Sequence, residues 1–163
     1  MKILFIQTGG TIDKDYPKVY RGYSFEVGRP AVVHILENKN LNFDYEILPL
    51  LQKDSLDLTD EDRRRIFETC EKRPEDKIII THGTDTMTKT AKTLSEIKGK
   101  TIIITGSIRP EKFSNSDAPF NVGTAITGVQ VLPHGIYIAM SGRLYPWDRC
   151  KKDNKTGQFV EIC

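Results

Sequence analysis

The chain has 163 residues, 38% hydrophobic and 28% charged, which suits one globular domain with a single well-buried core. Its 24 basic and 22 acidic residues leave a net charge of +2 and are spread along the chain, so there is no broad positive field to hold a nucleic acid. No apolar run has membrane-spanning length, and the short apolar stretch in MKILFIQTGG lacks the length and cleavage site of a secretion signal, so a cytoplasmic location with no membrane partner is expected.

KILFIQ reads as the first strand and runs directly into TGGT. Residues 12–27, IDKDYPKVYRGYSFEV, carry one proline, one glycine and three tyrosines that interrupt any period, which marks a long loop of the kind that serves as a functional lid. FDYEILPL is a second strand, after which Thr59 is placed to cap the helix DEDRRRIFETCEK, whose first acids suit the positive helix end. KIIIT, TIIIT and GIYIAM are further strands. Between them, Met87, Ala91, Leu94 and Ile97 share one helical face, and so do Val122, Ala125, Ile126, Val129 and Leu132. Strands apolar on both sides and alternating with helices predict an α/β fold: a three-layer sandwich with a mostly parallel sheet, one domain over 1–163, and binding residues at the strands' carboxyl ends.

Three of those strand ends, QTGGTI, THGTDTM and TGSIRP, combine glycine, which lets backbone approach closely, with threonine, which supplies a hydroxyl. TGGT alone is equally a tight turn with a capping threonine, and the absence of GxGxxG and of P-loop lysine spacing argues against a phosphate site. In HGTDT an aspartate follows a buried strand, where burial is costly without a partner or a charged ligand; helix capping by Thr84 and Asp85 is the structural alternative. His82 is expected to satisfy neighbouring backbone and to take no catalytic part. Cys70, Cys150 and Cys163 are far apart and show no metal-ligand spacing, as do His34, His82 and His134, so free thiols and no metal are expected.

Taken in order, TGGTI, DSLDLTDED, THGTDTM, TGSIRP, SDAPFN and WDRCKKDN closely resemble the N-terminal domain of the bacterial-type L-asparaginases, which include the glutaminase-asparaginases. The resemblance implies an asparaginase N-terminal-domain-like sandwich and an amidohydrolase that releases ammonia from L-asparagine, or from L-glutamine, through an acyl-threonine. It implies no cofactor and a homo-oligomer, a dimer or larger. Carried over by position, it makes Thr11 the nucleophile, places Thr84, Asp85 and Lys152 in a second catalytic group, and assigns Ser55 to the substrate's α-carboxylate, with Thr84 beside it and Asp85 on the α-ammonium. Lys151 is the only close competitor of Lys152, and Arg109 is expected to be structural. A poor hydroxyl nucleophile needs a base, and a lysine kept unprotonated by burial and nearby donors suits that task.

Two departures stand out. Longer relatives carry a second domain, whereas this sequence ends some eleven residues after Lys152, so a single-domain form is expected. The family's lid tyrosine is replaced in register by Phe25, leaving Tyr16, Tyr20 or Tyr23 as candidates to assist Thr11. Two other functions compete: an amino-acid-binding module with weak or lost turnover, and an ammonia-supplying amidase of a larger amidotransferase.

Overall fold

The computed structural model describes residues 1–16 and 25–162. In chain order its elements are β1 (Lys2–Gly9), β2 (Lys14–Asp15), β3 (Glu26–Val27), α1 (Ala31–Leu36), β4 (Asp44–Lys53), α2 (Asp60–Lys72) and β5 (Lys77–Thr81). There follow α3 (Met87–Leu94), β6 (Thr101–Thr105), α4 (Ala118–Val131), β7 (Gly135–Met140), β8 (Arg143–Pro146), β9 (Cys150–Lys152) and β10 (Phe159–Glu161). Short 3-10 turns at Thr11–Asp13, Ser55–Asp57 and Thr84–Thr86 carry the motifs singled out in the sequence.

One sheet has the order β4, β1, β5, β6, β7, β8, with parallel pairing throughout except for β8 against β7. All five strands expected from the sequence are present, and the mostly parallel three-layer arrangement is as predicted. Its physical basis is the alternation within the isoleucine runs. Leu4, Ile6, Ile78, Ile80, Ile102 and Ile104 pack on one face with Ile66 and Cys70 of α2 and Met87, Ala91 and Leu94 of α3. Ile3, Phe5, Ile79 and Ile103 pack on the other with α1 and with Ala118, Val122, Ala125 and Val129 of α4. A strand covered by helices on both faces has no polar side to show, so β1, β5 and β6 read as continuous apolar runs.

The α2 start is a reciprocal cap: Asp62 N donates to Thr59 Oγ1 at 3.1 Å and Thr59 N donates to Asp62 Oδ2 at 2.9 Å. The helix α3 is shorter than its pattern, and Ile97 is buried beyond its end. The small ribbons pairing β2 with β3 and β9 with β10 are too short to show a period, so no sequence pattern announces them. Cys70 and Cys150 are buried free thiols, and burial pushes their pKa up to about 12 and about 11. Cys163, Tyr20 and Tyr23 lie outside the described residues.

Candidate active site

The ends of β1, β4, β5 and β6 lie against one another through their glycines. Gly10 has φ +86°, and a Cβ there would fall 2.3 Å from Gly83 Cα and N. A Cβ on Gly83 would fall 2.6 Å from Ser55 Cβ and Oγ, and one on Gly106 would fall 2.3 Å from His82 O. Only backbones without side chains can come this close, so the turns bearing Thr11, Ser55 and Thr84 form one contiguous rim. Hydrogen bonds from Gly10 N to Lys53 O and from His82 N to Thr105 O, both 2.9 Å, extend the strand ladders into that rim.

On this rim Lys152 Nζ donates to Thr84 Oγ1 at 2.8 Å and to Asp85 Oδ1 at 2.5 Å. Lys152 is delivered by β9, held through its pairing with Phe159 of β10, and keeps only 20% of its side chain exposed. Of its two neighbours, the Thr84 hydroxyl can donate or accept, whereas the Asp85 carboxylate can only accept and forms an ion pair with it. Thr84 is buried, and Asp85 opens to solvent with 47% of its side chain exposed. Thr11 is half-buried on the adjoining turn, and its hydroxyl makes no hydrogen bond among the described residues. Ser55 is 1% exposed, packed on Gly83, and its Oγ has no partner among the described residues. A buried hydroxyl without a partner costs stability unless something else satisfies it.

Beneath the rim runs a bracing network that the sequence did not reveal. Arg63, 2% exposed, extends from α2: Nη1 donates to Leu58 O at 2.7 Å and Nη2 to Thr86 Oγ1 at 2.9 Å. Thr86 Oγ1 in turn donates to Ser55 O at 2.8 Å, so one buried guanidinium fixes the Ser55 turn against the Thr84 turn. Lys14 Nζ reaches Asp54 Oδ2 at 2.7 Å and ties the segment after Thr11 to the residue before Ser55, holding Asp54 below the usual carboxylate range.

Several conspicuous residues are structural. Thr8 and Thr105 donate to Thr81 O and Ala139 O across adjacent strand ends. His82 is fully buried, which pushes its pKa down to about 4. Because Gly83 O can only accept, Nδ1 carries the proton in the 2.7 Å contact, and Nε2 accepts from Thr90 Oγ1 at 2.7 Å. Asp117 accepts from the N–H groups of Ile108 and Arg109, and Asn121 Nδ2 donates to Gly106 O, so SDAPFN holds TGSIRP in place. Arg109 itself points along this loop to Asn115 O at 3.3 Å. Tyr16 is 65% exposed and packs on Phe25, with ring centroids 4.8 Å apart, while Phe25 meets Phe113 at 5.9 Å.

A second feature escaped the sequence reading. Asp13, two residues after Thr11, is 4% exposed and pushed up to about 7 by burial, against the opposing pull of the Ala31 N–H and the Gln7 side chain. It lines a cavity of about 590 Å³ with Ile12, Gly28, His34, Gln52 and Glu111; none of Thr11, Thr84, Asp85 and Lys152 does so. The available sign was an aspartate in TGGTID, wedged behind an apolar residue at a buried strand end. Among the described residues no group of His, Cys, Asp and Glu is arranged to hold a metal ion, and no helix is long and apolar enough to cross a membrane.

The family model "Asparaginase, N-terminal" matches residues 2–158. The chain belongs to this asparaginase family. It is 33% identical over 165 aligned positions to an L-asparaginase of Thermococcus kodakarensis, covering 96% of this chain and 49% of that one. The solved structure of the thermostable L-asparaginase from that organism superposes with a TM-score of 0.85 at 30% identity, over 99% of this chain and 51% of the other. A probable cytoplasmic L-asparaginase from Campylobacter jejuni superposes with a TM-score of 0.78 at 25% identity, over 93% of this chain and 49% of that one. The chain thus spans about half the length of the asparaginases it matches.

Proposed function

We propose that this chain is an L-asparagine amidohydrolase that works through a threonine nucleophile. The observation that carries this reading is the contact of Lys152 Nζ with Thr84 Oγ1 and Asp85 Oδ1 across 68 and 67 residues of sequence, on a rim shared with the Thr11 turn. Asp85 supplies an open carboxylate for the substrate's α-ammonium, and the unpartnered hydroxyl of Ser55 supplies a donor for its α-carboxylate. An arriving ammonium competes with Lys152 for Asp85, which leaves the lysine with Thr84 Oγ1 as its partner.

Released from Asp85, Lys152 gives up its proton to solvent; Thr11 Oγ1 then attacks the carboxamide carbon, giving its own proton to the neutral amine beside Thr84. Backbone N–H groups of the glycine-bounded turns receive the developing negative charge on the amide oxygen. The C–N bond breaks as the nitrogen takes a proton and leaves as ammonia, and water cleaves the acyl-threonine to release aspartate. L-Glutamine differs by one methylene, which a pocket discriminates by only about 1 to 3 kcal/mol, so slower turnover of glutamine belongs to the same reading. A cytoplasmic setting and assembly with further copies of the chain complete it.

The test is ammonia release from L-asparagine and L-glutamine by the purified chain beside Thr11→Ala and Lys152→Met. Each variant is expected to lose at least about 100-fold in kcat with its fold intact, the scale of a missing nucleophile or proton carrier. A Thr11→Ala protein that matches the parent would overturn the assignment.

A further inference from the structure

Asp13 ties the Thr11 turn to its surroundings by three separate bonds. Its N–H donates to Gly10 O at 3.2 Å, its carbonyl accepts from Gly28 N at 2.8 Å, and its carboxyl Oδ1 accepts from Ala31 N, at the start of α1, at 2.7 Å. Gln7 joins from the end of β1, where Nε2 donates to Gly28 O at 2.8 Å. Within this knot two buried acceptors, Asp13 Oδ2 and Gln7 Oε1, have no donor among the described residues. The Gln7 side chain neighbours the Asp13 carboxyl; its N–H favours the anion, whereas its bare Oε1 can be satisfied only by the acid. A carboxylate cannot supply the missing proton, whereas a carboxylic acid can.

The charged groups around the site do not compensate an anion there. Lys14 is engaged by Asp54, Lys112 Nζ lies 3.2 Å from His34 Nε2, and Arg29, Asp15 and Glu26 border the same cavity. Glu111, whose N–H donates to Ile12 O at 3.1 Å, adds negative field.

We propose that Asp13 is a positioning residue for Thr11: as a neutral carboxylic acid it clamps the Thr11 turn to Gln7, Gly28 and the start of α1, and its ionisation loosens that clamp. Its catalytic consequence rests on Thr11 being the reacting hydroxyl; the clamp itself does not. With burial raising the group to about 7, the clamp opens in the neutral range. The carboxylate keeps its bond from Ala31 N but loses any bond to Gln7 Oε1 and leaves a buried charge with no cation, which favours opening of the turn that Thr11 occupies; misplacement of a reacting group is costly in rate.

Asp13→Asn separates this role from plain packing, because an amide keeps an acceptor for Ala31 N and gives Gln7 Oε1 a permanent donor. The experiment is amide hydrogen exchange by NMR on the full chain, reading Gly28 and Ala31 relative to Ile79 in the sheet, at about pH 6 and about pH 8. The parent is expected to lose about tenfold in relative protection between the two, Asp13→Asn to keep protection at both, and Asp13→Ala to lack it at both while Ile79 stays protected. In ammonia release, Asp13→Ala lowers kcat with little change in KM, and Asp13→Asn restores it. Equal parental protection at both pH values, or Asp13→Asn as open as Asp13→Ala, would overturn the proposal. Exchange that follows pH in a chain releasing no ammonia would instead sink the amidohydrolase reading and leave the clamp standing.

Discussion

Thr11 separates two acidic regions that use the same residue type in opposite ways. On the rim, Asp85 is open to solvent and paired with Lys152. Behind the turn, Asp13 is buried with a backbone N–H and an amide for company, and burial, with no cation to offset it, pushes it up to about 7. Asp62, on α2, shows the third possibility: a shielded carboxylate that does have a cation, Lys53 Nζ at 2.8 Å, is pulled down to about 2. The lesson is that burial alone does not set the charge of an aspartate; the partner decides whether burial is tolerated as an anion or answered by a proton. Under the proposed mechanism, the carboxylate that meets the incoming ammonium stays at the surface, and the one that locks the turn is neutral and inside.

The largest effect is expected at the joint between the two regions. Gly10→Ala places a Cβ in a left-handed backbone 2.3 Å from Gly83, with no flexible side chain to yield. A loss of about 3 kcal/mol or more in denaturant stability is expected, together with loss of activity in whatever folds. A stability within about 0.5 kcal/mol of the parent would mean that the rim is not built on this contact.

The two buried aspartates respond to pH in opposite directions. Asp13 binds its proton more tightly when folded, so its contribution is present at low pH and is lost as pH rises from about 4 to about 7, to a limit of about 4 kcal/mol. Asp62 works in reverse, stabilising above about 4 and losing its contribution as pH falls toward about 2. Urea titrations across pH should show Asp13→Asn flattening the decline on the neutral side and Asp62→Asn flattening the decline on the acid side; the opposite pairing would refute the contrast. The smallest effect belongs to the rim. With 47% of its side chain exposed, Asp85→Ala should cost less than about 1 kcal/mol in stability while ammonia release collapses.

Much of this was legible in advance. The isoleucine runs of β5 and β6, the Thr59 cap and the helical faces of α3 and α4 are local patterns whose period already states which side is covered. The glycines of TGGT and THGTDT marked the right strand ends, although their visible task is backbone contact among turns as much as approach to a ligand. Lys152 was named by resemblance alone, since nothing local distinguishes it from Lys151; β9 pairing shows why the two differ, one turned toward Thr84 and the other exposed. Arg63 reads as one more charge in a solvated run, RRR, and only the packing of α2 against the rim makes it a buried brace.

The layers, the glycine-rich strand ends and the residue types available there follow from the amino-acid order, because secondary structure and turn formation depend on neighbours a few positions apart. Which polar groups meet is a matter of the folded chain. Lys152 and Asp85 are 67 residues apart, Arg63 and Thr86 are 23, and Asp13 and Ala31 are 18. Electrostatic partnership and burial are properties of distance in space, and no local period encodes them.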